Sequence, residues 1–216
     1  MITRSSDRAP DSQFPVLFRA IAAGDAPEVS RMLATFPALA SEPSPTGASR
    51  SVSAPFYLER IEHYVYAGDT ALHVASAAYQ ASIARDLVAR GAAVRARNRR
   101  GAEPLHHACD GSPGSTRWDP VAQVATIECL LAAGANPNAT DRSGVTPLHR
   151  AVRTRCAAAA RLLLDNGANA RQVNGRGSTP LQLAGQTTGR SGSGSAEARE
   201  QQAEIVQLLI AHGARR

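Results

Sequence analysis

One short segment of the sequence brings together residue types that catalyse reactions or hold metals. His106, His107, Cys109 and Asp110 lie within five consecutive positions. Imidazole, thiolate and carboxylate groups are ligands for zinc and participants in acid–base and nucleophilic chemistry. However, His107 and Cys109 are two positions apart and point to different sides of a helix, and no second ligand set follows at a fitting distance. We therefore predict no metal site, no cofactor and no catalytic residues in this segment.

Other signatures of enzymes are missing from the sequence. There is no G-x-S-x-G nucleophile motif, and the stretch from Gly189 to Gly194 resembles a phosphate-binding loop only in its glycine content, because a preceding strand and a lysine are lacking. Cys129 and Cys156 fall within helical patterns and are interpreted as small buried apolar residues. The sequence therefore predicts a protein that is not an enzyme.

The charge composition is unusual and open to two interpretations. The 216 residues include 24 basic and 18 acidic side chains, a formal net charge of +6, and every basic residue is arginine. A basic surface attracts acidic proteins, anionic ligands or nucleic acid. The replacement of lysine by arginine is also what a GC-rich genome produces without any functional reason. Both interpretations stay open at this point.

Cysteine usage and the N-terminus indicate a compartment. The three cysteines are odd in number, widely spaced and without a CxxC pair, which favours a reducing environment. Residues 1–13 are polar and lack the apolar stretch of a secretory signal, and no run of about 18 apolar residues follows. We expect no membrane span and a cytoplasmic location. A secreted effector delivered by a specialised system carries a signal that this test does not detect.

A tetrapeptide repeats along the chain in a fixed register. Thr-Ala-Leu-His, Glu-Pro-Leu-His, Thr-Pro-Leu-His and Thr-Pro-Leu-Gln begin at positions 70, 103, 146 and 179, at intervals of 33, 43 and 33 residues. A Gly-Ala pair recurs with them, and after each of its first three copies the next tetrapeptide begins 12 positions beyond the glycine. These glycines are Gly91, Gly134, Gly167 and Gly213. Two features that keep the same spacing indicate a structural repeat.

Each repeated position has a physical role in a helical hairpin. Threonine before proline caps a helix, and proline at the first helical position has no N–H that would lack a partner. The leucine and the following alanine lie three residues apart on one face. The recurrent glycine is the residue best suited to a left-handed helix end. Since one pair of short helices cannot bury its apolar faces alone, the units must stack.

These features together resemble ankyrin repeats. The resemblance rests on the 33-residue period, the T-P-L-H tetrapeptide, the Gly-Ala pair and the sequence Asn-Pro-Asn-Ala at 136–139. It is to bacterial-type ankyrin repeat proteins with long insertions between helices. Ala71, Glu103 and Gln182 depart from the motif and weaken individual caps. The resemblance implies an all-α fold, an ankyrin-repeat solenoid of stacked helix-turn-helix units with short hairpin loops.

The register divides the chain into segments. From tetrapeptide to glycine the distances are 21, 31, 21 and 34 residues, so the second and fourth repeats carry 10 and 13 additional residues between their helices. The expected segments are a disordered tail at 1–13, a degenerate capping repeat at 14–40, a Ser/Pro-rich loop and aromatic segment at 41–64, and repeats at 65–97, 98–140, 141–173 and 174–216. We expect Ser41 to Pro55 to be a mobile loop, after which the aromatic segment could begin as a helix.

The resemblance also implies a function and a place for it. Ankyrin-like stacks bind partner proteins on a concave face made of hairpin tips and first helices. On this face the partner-binding residues predicted for this sequence are Arg97, Arg99, Arg100, Arg142, Ser143, Arg153 and Arg176. We therefore expect a non-catalytic protein–protein interaction module, a monomer whose partner is an unidentified protein with an acidic surface.

Two further interpretations accompany this prediction. The same arginines also suit nucleic acid or another polyanion, an alternative disfavoured because the predicted face lacks the stacking aromatics of single-strand readers. Tyr57, Tyr64 and Trp118 are predicted as secondary contacts for a partner. For Trp118, the only tryptophan, we favour a structural role in which the indole covers exposed helix ends.

Overall fold

The computed structural model describes residues 11–111, 118–186 and 196–215. Much of the additional sequence predicted between the helices of the second and fourth repeats, at 112–117 and 187–195, lies outside the described residues, as do the first ten residues of the predicted tail. The last three residues of that tail, Asp11–Gln13, form one turn of 3-10 helix. The chain divides into two compact units, Met1–Pro104 and Leu105–Arg216, and each contains its own set of buried leucines.

Two pairs of helices form the first unit. The pairs are α1 (Phe14–Ala23) with α2 (Ala26–Thr35), and α3 (Ala71–Ala77) with α4 (Ala81–Ala89). Helix α1 packs against both α2 and α3, and α3 packs against α4. Apolar residues three or four positions apart give each helix one buried face. The fully buried side chains at its centre are those of Leu17, Ile21, Leu33, Leu72 and Leu87.

The aromatic segment between these pairs is not the helix that the sequence predicted. A 3-10 turn at Ala54–Phe56 leads into an antiparallel hairpin of β1 (Tyr57–Leu58) and β2 (His63–Tyr64), in which Tyr57 lies opposite Tyr64. The connection between the strands is a second 3-10 turn that ends at Glu62, whose φ is 50°. Aromatic residues favour a pleated surface, and this reversal of the chain keeps them in strands. The prediction of a helix after Pro55 was therefore wrong.

The Ser/Pro-rich stretch before this hairpin is a loop held by backbone hydrogen bonds. Ser44 N–H donates to the carbonyl of Asp69 and Gly68 N–H donates to the carbonyl of Ser44, both at 2.8 Å. Ala48 N–H donates to the carbonyl of Val65 at 2.7 Å. The predicted loop thus has a fixed course along residues 65–69, and two of its side chains, those of Ser44 and Ala48, are buried.

Three further helix pairs form the second unit. They are α5 (Pro104–Ala108) with α6 (Pro120–Ala132), α7 (Pro147–Arg153) with α8 (Ala157–Asp165), and α9 (Pro180–Ala184) with α10 (Ala196–Ala211). The first residue of α5 is the last residue of the first unit. Helix α8 packs against α6, α7 and α10, and α7 packs against α9. Within the part of the chain that the structure describes, no helix is both long and apolar enough to cross a membrane.

The two insertions fall between α5 and α6 and between α9 and α10. Helix α6 begins at Pro120, because the carboxylate of Asp119 accepts hydrogen bonds from the backbone N–H groups of Val121 and Ala122 at 2.9 Å. Helix α10 ends at Ala211 and packs against α8 and α9. Its buried residues include Ile205 and Leu209.

The tetrapeptide joins each repeat to the next one. His149 Nδ1 accepts from Thr146 N–H at 3.2 Å, and His149 Nε2–H donates to the carbonyl of Ser178 in the following hairpin at 3.2 Å. His73 makes the same contact with Ala102 at 3.1 Å. These two histidines thus link neighbouring repeats by hydrogen bonds. The four helix-ending glycines have φ between 85° and 90°, as a left-handed cap requires.

Gly144 allows two neighbouring hairpin tips to pack closely. Its φ is 68°, and a β-carbon there would lie 2.7 Å from the nitrogen of Gly175, whereas a β-carbon at Gly177 (φ 78°) meets nothing within 4 Å. We expect Gly144→Ala to lower the free energy of unfolding by about 2–3 kcal/mol, through strain and loss of the Gly175–Ser143 hydrogen bond. Gly177→Ala carries strain alone, about 1 kcal/mol. Urea unfolding measures both variants, and equal losses would contradict this account.

Candidate partner-binding surfaces

Three hairpin tips share one turn geometry. In each tip the side-chain oxygen of the first residue accepts hydrogen bonds from the backbone N–H groups of the third and fifth residues, at 2.8–3.1 Å. These first residues are Asn98, Asp141 and Asn174. An Asx turn of this kind fixes the backbone locally. The second and third residues of each tip are all exposed.

Arginine occupies four of these six exposed tip positions. We call them the apical arginines, and they are Arg99 and Arg100 in the first unit and Arg142 and Arg176 in the second. Among the described residues, none of the four forms an ion pair, although other arginines such as Arg31 and Arg161 do. The positive charge of the tips is therefore not neutralised by the described part of the chain.

The remaining predicted residues lie at the second tip or beside the tips and have contacts of their own. Arg97 is exposed, and its Nε–H donates to the carbonyl of Gly101 at 3.1 Å. Arg153 ends α7 with 54% of its side chain exposed, and its guanidinium lies 3.9 Å from the Asp110 carboxylate. Ser143 is an exposed tip residue whose carbonyl accepts from the N–H of Gly175 at 2.8 Å. All three leave side-chain surface open to solvent.

The first tip differs from an open concave surface. Arg99 Nη2 donates to the carbonyl of Ala48 at 2.6 Å, so this arginine lies against the Ser/Pro-rich loop. Arg100 Nη1 donates to the hydroxyl of Tyr66 at 3.0 Å, and its guanidinium stands 4.8 Å from the centre of that ring. The sequence prediction placed both arginines on the tip, and it did not foresee that a loop and a tyrosine would hold them.

The predicted aromatic contacts divide into two kinds. The rings of Tyr57 and Tyr64 pack against each other at 4.7 Å and remain 37% and 39% exposed. Trp118 is half-buried, and its Nε1–H donates to Gln123 Oε1 at 2.9 Å. Gln123 in turn donates to the carbonyl of Ala108 at 2.9 Å, so the indole is tied to the end of α5. This contact suits the structural role, and a partner role for the three aromatics stays a prediction.

The polar cluster at residues 106–110 is part of the packing. His106 is buried and its Nε2–H donates to the carbonyl of Val145 at 3.0 Å, which matches the other two repeat histidines. Burial, together with the nearby charge of Arg150, lowers the pKa of His106 to about 4. Burial raises the pKa of the Cys109 thiol well above its usual value, so the sulfur stays protonated. A protonated, buried thiol is a poor nucleophile.

Sequence reasoning missed a buried arginine beneath the second tip. Arg150 has only 12% of its side chain exposed. Its Nη1 donates to Asp110 Oδ2 at 2.6 Å and its Nη2 to Asp141 Oδ2 at 3.4 Å. Because Asp141 also closes the turn that displays Arg142, Arg150 anchors this tip to α7. It follows the tetrapeptide directly, but nothing in that motif indicates burial.

Helix pairs that repeat with a fixed register, joined through tetrapeptide side chains to Asx-turn tips, define an all-α repeat solenoid. The family model described as "Ankyrin repeat" matches residues 67–99 and 100–142, and the model described as "Ankyrin repeats (many copies)" matches residues 130–184. The chain belongs to the ankyrin repeat family, whose members are generally non-catalytic protein–protein interaction modules. No curated protein matches the sequence significantly.

Proposed function

We propose that each unit of this chain offers its own apical arginines, together with the residues beside them, to an acidic surface of a partner protein. The observation that carries the proposal is the set of four exposed guanidinium groups without an ion pair among the described residues. The usual role of the family supports a protein as the partner. The acidity of that partner follows from charge complementarity.

The tip geometry suits recognition of carboxylates. A guanidinium presents a planar fork of N–H donors that matches a carboxylate in two parallel hydrogen bonds. The Asx turns fix the backbone beneath Arg142 and Arg176, so binding has to order only the side chains. Arg97, Ser143 and Arg153 extend the donor set beside the tips. Uncompensated positive charge also accelerates the encounter with an acidic protein.

Protein is favoured over nucleic acid by the composition of the second unit. Single-strand readers stack bases on aromatic side chains, a contact worth about 1–3 kcal/mol per base. Trp118 is the only phenylalanine, tyrosine or tryptophan after residue 104, and its indole is already hydrogen-bonded to Gln123. Two arginine-bearing tips without a stacking ring suit a carboxylate surface better than unpaired bases.

The double variant Arg142→Glu/Arg176→Glu tests the proposal. A partner is first captured by pull-down, identified and purified, and its affinity is measured by fluorescence anisotropy. We expect the variant to weaken binding by roughly tenfold or more, because two attractive pairs become repulsive. For the wild type, affinity should fall as salt is raised, since exposed charges are screened.

The matched control is Arg85→Glu/Arg199→Glu, which makes the same change in net charge at exposed arginines on α4 and α10. We expect this control to bind the partner within about twofold of the wild type, since only residual long-range attraction changes. Equal weakening by both double variants would overturn the assignment of the tips. Tight binding of a mixed-sequence oligonucleotide, lost in the Arg142→Glu/Arg176→Glu variant, would instead support the polyanion alternative.

A further inference from the structure

A pocket of about 350 Å³ lies in the first unit, between the Ser/Pro-rich loop and the first tip. We call it the loop pocket. Three arginines line it: Arg50 from the loop, and the apical residues Arg99 and Arg100. The hydroxyl-bearing residues Ser49, Ser53, Tyr64 and Tyr66 also line it, and no acidic side chain is among the lining residues. Sequence reasoning did not identify Arg50 or Tyr66 as site residues.

The charge of the loop pocket is uncompensated. None of its three arginines forms an ion pair with a described residue. Three guanidinium groups around one concavity give it a positive potential, which attracts an anion. The serines and tyrosines that line the rest of the wall are neutral. The loop pocket is therefore suited to an anionic group.

Two of the three arginines are already held in place. Arg99 uses Nη2 for the carbonyl of Ala48, and Arg100 uses Nη1 for the hydroxyl of Tyr66. A guanidinium has five N–H donors, so each arginine keeps several for a ligand. Because these side chains are positioned before binding, less conformational entropy is lost when a ligand arrives.

The wall of the loop pocket is closely packed. The loop runs so near to residues 66 and 67 that a β-carbon on Gly47 would clash with the backbone nitrogen of Ala67. The bond from Ala48 N–H to the carbonyl of Val65 fixes the same stretch at 2.7 Å. Tyr64, which lines the pocket, is held by the ring of Tyr57 in the β-hairpin. Ser53 makes no side-chain hydrogen bond with a described residue and has its hydroxyl available.

We infer that the loop pocket binds a phosphate monoester, carried by a phosphorylated side chain of the partner protein. A phosphate monoester has a charge of about −1.5 to −2 at neutral pH and three strong acceptor oxygens. It matches three guanidinium groups and a free hydroxyl better than a carboxylate, which has one charge and two oxygens. The assignment of the phosphate to a protein rests on the proposed function. The affinity of the loop pocket for a phosphate group is inferred independently of that function.

Isothermal titration calorimetry on the full chain at low ionic strength tests the inference. The probe is a short peptide of glycines around one phosphoserine, with end groups blocked, so that phosphate is its only charged group. We expect it to bind, the same peptide with glutamate to bind at least tenfold more weakly, and the unmodified serine peptide to give no heat. Inorganic phosphate, which represents a free source of the group, should compete more weakly than the phosphopeptide does.

Single variants distinguish binding in the loop pocket from general electrostatic attraction to the basic protein. We expect Arg50→Gln and Arg100→Gln each to weaken phosphopeptide binding by about tenfold, because each removes a charge-assisted contact. Arg85→Gln removes the same charge from an exposed residue of α4 and should leave binding unchanged. Thermal unfolding of each variant verifies that it is folded. Equal affinity for the phosphoserine and glutamate peptides, or equal weakening by Arg50→Gln and Arg85→Gln, would overturn the inference.

The two proposals fail independently. The Arg142→Glu/Arg176→Glu variant leaves every residue of the loop pocket intact and should bind the phosphopeptide like the wild type. If the phosphopeptide does not bind while that variant loses the captured partner, the pocket assignment is wrong and the proposed function stands. If inorganic phosphate binds as tightly as the phosphopeptide, the pocket takes free phosphate, and the assignment to a protein side chain is overturned.

Discussion

Replacing Arg150 by methionine is expected to lower the free energy of unfolding by about 3 kcal/mol, because it leaves a nearly buried carboxylate without its counter-charge. The side chain of Asp141 is only 11% exposed and faces Arg150 Nη2 at 3.4 Å. Asp110 is 37% exposed and can be rehydrated, so it contributes less to the loss. Methionine preserves much of the apolar stem of arginine, which limits the change in packing. Urea unfolding measures the effect.

Two companion variants show whether charge is the cause. In Arg150→Met/Asp141→Asn the unpaired carboxylate is gone, and asparagine closes the turn as Asn98 and Asn174 do in the other two tips. We expect this double variant to recover more than half of the loss. Arg150→Lys keeps the charge but cannot fork between two carboxylates, so its loss should be smaller than that of methionine. Equal losses in the single and double variants would show that packing, not charge, is responsible.

The same contact has a consequence for partner binding. Asp141 closes the turn that exposes Arg142, and Arg150 is the cation that holds Asp141 to α7. Arg150, which is largely shielded from solvent, thus fixes the backbone under Arg142, which is exposed. The charge at the tip is available to a partner because a different guanidinium neutralises the nearby acids.

Periodic features of this chain could be predicted from the sequence, because each has a local cause. The glycine that ends a helix, the threonine that begins one and the histidine that reaches the next hairpin recur with their spacing intact, so four copies reinforce one interpretation. The same register located the apical arginines, since a tip position follows from counting. The family models for ankyrin repeats match residues 67–184, so the family that these features indicated is confirmed.

The insertion between the first two helix pairs could not be predicted in the same way. Its course depends on backbone bonds between residues far apart in sequence, such as Ala48 with Val65 and Ser44 with Asp69. No periodicity marks those partners, and a proline followed by aromatic residues was compatible with a helix start as well as with the hairpin that forms. The loop pocket, with Arg50 and Tyr66, escaped notice for the same reason.

Buried charge was the other feature beyond the reach of sequence reasoning. The two acids that hold Arg150 lie 40 and 9 positions away from it, and Asp110 had been considered only as a metal ligand or catalytic group. A position that follows the tetrapeptide gives no sign of whether its side chain faces solvent. Only the packing of α7 beside the second tip decides this.

Acid should destabilise the protein through His106. The pKa of this imidazole is lowered from 6.5 to about 4, first by burial and then by the charge of Arg150. Above pH 6.5 the residue is neutral in both the folded and unfolded chains. As the pH falls below 6.5 the unfolded chain takes up a proton that the folded chain does not accept until about pH 4, so stability is lost across this interval. At about 1.4 kcal/mol per pH unit the loss approaches about 3 kcal/mol.

The variant His106→Gln isolates this contribution. Glutamine occupies the equivalent position in the fourth repeat as Gln182, where its Oε1 accepts from Thr179 N–H at 2.9 Å, and its amide can donate to Val145 as the imidazole does. We expect the variant to be less stable near neutral pH but to lose about 3 kcal/mol less than the wild type on acidification. The pKa of His149 is lowered by burial as well, so a shallower slope of the same sign should remain. Urea unfolding at several pH values between neutral and about pH 4 measures both slopes. If they coincide, another group governs the acid response and His106 is not the buried neutral histidine described here.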